Sequence, residues 1–166
     1  MHSPHPGPEP TPGAPSPSPA NLQLLRRLAL AAHHLAVLAT ARPNGSIQAT
    51  VVTAGVMTDP LAGQPAVACV AGGGTVKLTN LRRDPRATIV FRAGGEWVTI
   101  EGRVSLLGPD DPQSSFPPDR VAQLLRDVFM AAGGSHDDWA EFDRVMAEEH
   151  RSAVFIAMDR VYSNPK

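Results

Sequence analysis

The sequence has one cysteine, Cys69, in 166 residues, so it can hold neither an intrachain disulfide framework nor a multi-cysteine zinc site. It has no long apolar run. None approaches the ~18 residues that a spanning helix needs, and no membrane partner is expected. It also lacks an excess of either charge. Fifteen Lys and Arg against sixteen Asp and Glu leave −1, without the basic footprint that neutralises phosphate backbones, so no nucleic-acid partner is expected. The start shows no charged segment followed by an apolar one, so a cytoplasmic location is expected. A Gly-x-Ser-x-Gly elbow is missing, which leaves a serine hydrolase without support.

Proline is what the chain has in quantity, and it is concentrated at one end. Pro4, Pro6, Pro8, Pro10, Pro12, Pro15, Pro17 and Pro19 alternate with small and polar residues, with no large apolar side chain after Met1. Proline removes backbone donors, and nothing apolar there offsets the entropy of ordering. Residues 1–20 therefore read as a disordered, polyproline-leaning tail, and 21–166 as one folded domain.

Asn21 is placed to cap a first helix over 22–34, with Leu24, Leu25, Leu28 and Ala32 at helical spacing. The period then shortens. Leu35 to Thr40 and Ile47 to Thr53 read as strands joined by a hairpin at Asn44-Gly45. Ala66–Ala71, Ala87–Arg92 and Glu96–Leu107 read as three more, the last two turning at Gly94-Gly95. Val121, Leu124, Leu125 and Val128 mark a helix that ends at Ala131-Ala-Gly-Gly134, and Asp137 or Asp138 caps another carrying Trp139, Phe142, Val145 and Met146. Ala153 to Met158 is a last strand, and 159–166 trails off. Hairpins this close together predict an antiparallel, closed or nearly closed barrel: a mainly β chain with flanking helices.

Chemistry concentrates in Gly72–Arg86, Gly-Gly-Gly-Thr-Val-Lys-Leu-Thr-Asn-Leu-Arg-Arg-Asp-Pro-Arg. Glycines let backbone approach a ligand, and the free N–H groups that open the following helix attract anions. Lys77 adds a positive charge in the first turn. The order fits neither a nucleotide-hydrolase phosphate loop nor a dinucleotide-binding turn. Phosphate binding is one reading; a tight turn into a solvated basic helix is the other. Arg82, Arg83 and Arg86 also suit a helix C-terminus on dipole grounds alone, and Asn80 suits a helix surface.

Other candidates have plainer structural explanations. His33-His34 point about 100° apart on a helix end and do not chelate one metal. His136-Asp137-Asp138 reads as capping, and Cys69 as a small buried side chain. Tyr162 reads as terminal packing, Glu101 as the partner of Arg103 on one strand face, and no side chain, His150 included, stands out as a general acid.

Leu38–Ser46, Thr75–Ala87 and Trp97–Arg103 resemble three signatures of the split β-barrel flavin and deazaflavin oxidoreductases, the superfamily of pyridoxamine 5′-phosphate oxidase. Asn80–Arg86, Gly133–Phe142 and Arg160–Pro165 resemble its coenzyme F420-dependent branch, and the likeness runs in order from Leu22 to Pro165. The resemblance implies an FMN-binding split barrel fold and a homodimer with F420, or alternatively FMN, in an interface groove. It implies cofactor contacts at Gln48, Ala49, Thr50, Val51 and Val52 beside the ring, and at Thr75, Val76 and Lys77 on the phosphate. Asn80, Arg82 and Arg83 belong to its basic motif, and Trp97 to the site wall. Relatives often carry arginine near Gly73 or Thr75 and proline near Val51, and this chain has neither. The function implied is an F420H2-dependent oxidoreductase passing hydride to a small conjugated substrate, over a pocket built from 56–64 and 107–118. An FMN enzyme or a non-catalytic flavin or F420 carrier are the alternatives.

Overall fold

A computed structural model describes residues 17–164. The element order is α1 (Pro19–Ala31), β1 (Leu35–Ala41), β2 (Ile47–Thr58), β3 (Pro65–Ala71), α2 (Val76–Arg83), β4 (Arg86–Ala93), β5 (Glu96–Leu107), α3 (Val121–Ala131), α4 (Trp139–Glu148), β6 (Ser152–Ala157) and β7 (Arg160–Ser163). A 3-10 turn, Pro118–Arg120, leads into α3.

The first helix starts earlier than Asn21. Ser18 is its N-cap and accepts from the Asn21 N–H at 3.1 Å, while Pro19 occupies the first turn, where its missing N–H costs nothing. The last residues assigned to the proline-rich tail thus belong to the domain; the rest of that tail lies outside the described residues. Ser18→Ala should lower stability by about 1 kcal/mol, read from the urea midpoint at constant m-value. An unchanged midpoint would remove the hydroxyl as a cap.

All strand pairs are antiparallel. The order β4-β1-β2-β3-β6-β5 closes through β4–β5 into a six-stranded barrel. Two long strands make the closure possible. Ile47–Thr53 of β2 pairs with β1, and Ala54–Thr58 pairs with β3. Glu96–Arg103 of β5 pairs with β4, and Val104–Leu107 with β6. Each passes from one half of the barrel to the other. β7, in the segment read as trailing chain, is a seventh strand that flanks β5 through Val98–Glu101.

The turn at Asn44-Gly45 differs from a two-residue hairpin loop: only Gly45 is left-handed, at φ 84°, and Asn44 Oδ1 instead accepts from the Ser46 N–H and Oγ. Inside the barrel Leu38, Ile89, Phe91, Val98, Ile100 and Ile156 are fully buried, and α1 closes one end with Leu25, Leu28 and Ala29. A second apolar cluster lies outside β3 and β6. There Ala66, Ala68 and Phe155 meet Leu124, Leu125, Val128 and Phe142 of the α3–α4 pair. Asp138 caps α4 as expected, accepting from the Glu141 N–H at 3.1 Å.

Candidate functional site

α2 begins in an electrostatically unusual way. Its first turn holds no acid, its N-cap Thr75 makes no side-chain bond to the helix, and Lys77 stands where the dipole disfavours a cation. The Thr75 hydroxyl turns back instead and donates to Gly72 O at 2.8 Å. The first N–H groups of α2 are therefore left for another acceptor. Lys77 is half-buried and has no hydrogen-bond or ion-pair partner among the described residues. It lies within electrostatic reach of Cys69, whose thiol burial pushes up to about 12 while the Lys77 charge pulls it down. That value leaves Cys69 an inert core thiol.

The approach to α2 is shaped by a contact the sequence did not announce. The Gly73 N–H donates to Glu149 O at 3.0 Å, and a Cβ on Gly73 would meet the His150 Cβ at 2.6 Å. His150 is itself left-handed, φ 49°, and its Nδ1 lies 3.2 Å from Asp110 Oδ1. Gly73 must therefore be glycine for reasons of packing. No local pattern could have joined it to a helix end 75 residues on; only the run of three glycines hinted at a close approach.

Gln48 to Val52 occupy the half of β2 that pairs only with β1. Its far edge keeps backbone N–H and C=O groups without strand partners, which planar ligands and other strands can use. The five residues divide by strand alternation. Gln48, Thr50 and Val52 turn inward; Ala49 and Val51 face outward. Thr50 Oγ1 is buried with no hydrogen-bond partner among the described residues. Such an orphan is costly in a finished core and is consistent with a site that a ligand completes.

Asn80, only 2% exposed, donates to Thr40 Oγ1 at 3.0 Å, and Thr40 in turn donates to Gln48 Oε1 at 3.3 Å. This chain ties α2 to β1 and β2, so Asn80 and Gln48 position the elements that carry Lys77. Arg82 and Arg83 are not brought to Lys77. They close the other end of α2, about 8–9 Å along the axis. Arg82 forms a bidentate pair with Asp111 at 2.8 Å, and Arg83 donates to Ala41 O. Arg86 pairs with Asp84. Of the four cations in Gly72–Arg86, Lys77 alone lacks an intrachain partner among the described residues.

Hydrogen bonds from Arg82 and then Ser152 hold the Asp111 carboxyl below its ordinary value of 3.8, against the upward push of burial. A depressed folded pKa stabilises above the unfolded value and loses that contribution as pH falls through the folded one. Stability should therefore decline below pH ~4. Asp111→Asn should lower the urea midpoint at pH 7 and flatten that decline; an unchanged acid limb would rule the pair out.

Trp97 lies on the outer face of β5, where its ring meets Tyr162 edge-on at 6.2 Å. It stands three strand positions around the barrel wall from β2 within one chain. The Tyr162 hydroxyl donates to Glu101 Oε1 at 3.1 Å, and Arg160 approaches Glu101 at 3.7 Å, so β7 rather than Arg103 alone sets the Glu101 environment. His34 places Nδ1 3.1 Å from Ala54 O, and no group of three potential metal ligands occurs among the described residues.

Residues 25–155, most of the chain and all of the barrel but the last two residues of β6, match the family described as pyridoxamine 5′-phosphate oxidase. The chain belongs to that family. Solved structures show the same fold at low identity. A conserved hypothetical protein of Mycobacterium tuberculosis superposes with TM-score 0.61 at 20% identity, covering 89% of this chain and 84% of its own. A pyridoxamine 5′-phosphate oxidase-related, FMN-binding protein of Nostoc punctiforme gives 0.61 at 17%, covering 91% and 85%. A protein named as an F420 reductase gives 0.56 at 14%, covering 84% and 94%. The family accounts for the six-stranded barrel with flanking helices, and no helix among the described residues is long and apolar enough to cross a membrane.

Proposed function

We propose that this family member is an F420H2-dependent oxidoreductase whose cofactor phosphate is held by Lys77 and the first N–H groups of α2. The observation that carries the reading is the unpartnered, half-buried Lys77 at an uncapped helix start. The residues present fit such a group. The free edge of β2 lies on the side from which a ring system can be lined, and the Thr50 hydroxyl is buried without a partner among the described residues. The phosphate of F420 is a diester with one negative charge, whereas the FMN monoester carries nearly two at neutral pH. One ammonium and a helix terminus can receive either, with Arg82 and Arg83 engaged elsewhere. The choice of F420 rests on the resemblance of Asn80–Arg86, Gly133–Phe142 and Arg160–Pro165 to that branch.

When bound, the deazaflavin supplies the hydride, and the chemistry is its own. The chain's part is to anchor and to shield. Lys77 fixes the anionic end, the Asn80–Thr40–Gln48 chain holds α2 against β2, and the barrel wall keeps water from one side. The acceptor class is a small conjugated molecule such as an enone or quinone. A homodimer completes the site. On the outer sheet face Leu35, Val37, Ile47 and Val51 are 44–65% exposed and, by register, share one surface, an apolar area suited to a second copy. The compartment proposed is the cytoplasm.

Titration of the purified chain with F420 and with FMN tests this. Tighter binding of F420, followed by loss of F420H2 absorbance with an enone, is the expected result. Preference for FMN would favour the flavin enzyme, turnover with neither acceptor a carrier, and no binding of either would overturn the cofactor site. Sedimentation at micromolar concentration should give a dimer; a monomer would remove the second copy.

A further inference from the structure

We propose that the cavity between the Leu107–Pro118 segment and the α3–α4 pair is a binding site for a small, uncharged, largely apolar molecule. The cavity holds about 290 Å³, at the small end of ligand pockets. Leu107, Phe116, Val121, Leu125 and Met146 supply its walls. Two carboxylates line it, Asp111 and Asp143, and each is already held by an arginine outside the lining: Arg82 on Asp111, Arg126 on Asp143 at 2.9 Å. Neither carboxylate therefore calls for a cationic ligand, and the apolar walls offer an anionic one no partner. Gln113 is an exposed lining residue whose Nε2 donates to Leu106 O at 3.1 Å, which ties that wall to β5.

Its lining includes neither Lys77 nor residues 48–52 of β2. Its Gly108–Asp111 wall meets the C-terminal end of α2 through Arg82, and Asp110 within it lies 3.2 Å from the ring of His150, the residue packed against Gly73. Most of the lining is the Leu107–Pro118 segment, which encloses this cavity within one chain.

N-phenyl-1-naphthylamine is a suitable probe: uncharged, largely apolar, and emissive only when removed from water. Added to the full chain, it should show saturable emission. Ala122 and Ala147 line the mouth from exposed positions on α3 and α4, where a larger side chain fills space without disturbing the fold. Ala122→Trp and Ala147→Trp should each weaken the probe by about tenfold or more with an unchanged melting temperature. Leu30→Lys, at an exposed position on α1, should leave it unaltered. Absence of saturable emission, affinity in both alanine variants equal to that of the parent, or loss of the signal in Leu30→Lys would overturn the site.

Discussion

Lys77→Ala should weaken binding of the F420 phosphate end by about 1.5–3 kcal/mol, roughly 10- to 150-fold, without destabilising the unliganded chain. The two halves of that expectation come from the same charge. In the folded protein without ligand, Lys77 has no anion to meet and stands in the first turn of α2, where the helix dipole repels it. Removing it relieves a repulsion of a few tenths of a kcal/mol, so the urea midpoint should hold or rise slightly. With the phosphate in place, the same ammonium makes a charge-assisted bond that alanine cannot replace. A structural lysine would behave in the opposite sense, lowering stability and leaving affinity alone. The measurement is a paired one: F420 titration by fluorescence and urea unfolding without ligand, on both proteins. Lys77→Arg is a useful companion, since it keeps the charge and should recover most of the affinity. Equal affinity for Lys77→Ala and the parent would remove Lys77 from the site.

Why the barrel was legible and the site only in part follows from which signals are local. Alternation in Trp97–Val104 and the paired glycines at Gly94-Gly95 specify β5 and its turn without help from elsewhere, and Val98, Ile100 and Val104 are indeed the buried face. The 3.6-residue period of Val121, Leu124, Leu125 and Val128 likewise gives α3, with three of the four fully buried. The start of the first helix is not legible locally because Ser18 and Pro19 look like the tail they follow; only the docking of Leu25 and Leu28 into the barrel shows that the helix reaches back to them. β7 is not legible because its four residues acquire strand geometry only by pairing with β5.

The site suffers from the same limit. Lys77 stands out from its neighbours in sequence, but the partners that use up Arg82 and Arg83 lie 29 and 42 residues away. A run that reads as one basic motif is therefore split in space, one cation without an intrachain partner among the described residues and three serving the fold. Asn80 is the clearest case. Its amide looks available on a helix surface, yet Thr40 on the far side of the sequence buries it. Spacing identifies residue types that can carry chemistry; which of them are free to do so is decided by long-range pairing.

Gly102→Ala should produce the largest loss of stability of any conservative change in the chain, about 3 kcal/mol or more. Gly102 sits where β5 leaves β4 for β6: it pairs with Ala87, while Val104 already pairs with Ile156. A Cβ there would lie 1.7 Å from Ala157 O and 2.6 Å from its carbonyl carbon. Both are backbone atoms of the strand that β5 must join, so no rotamer can relieve the contact. Relief requires β5 and β6 to move apart, and that breaks the pairing on which closure of the barrel depends. Gly95→Ala provides the control. It removes a glycine from the same strand's turn, at a position with nothing within 4 Å of the added methyl and no left-handed φ. Stability there should stay level or rise by up to about 1 kcal/mol through the stiffer unfolded chain. Gly55→Ala meets Ala131 O at 1.9 Å, but at the end of α3, an element that can shift outward without opening the barrel, so its loss should fall between the two. Urea midpoints ranked Gly95→Ala, Gly55→Ala, Gly102→Ala from most to least stable would identify the β5 crossing as the tightest joint of the fold. A Gly102→Ala protein as stable as Gly95→Ala would mean that β5 does not pass under Ala157, and the two halves of the barrel would have to be joined another way.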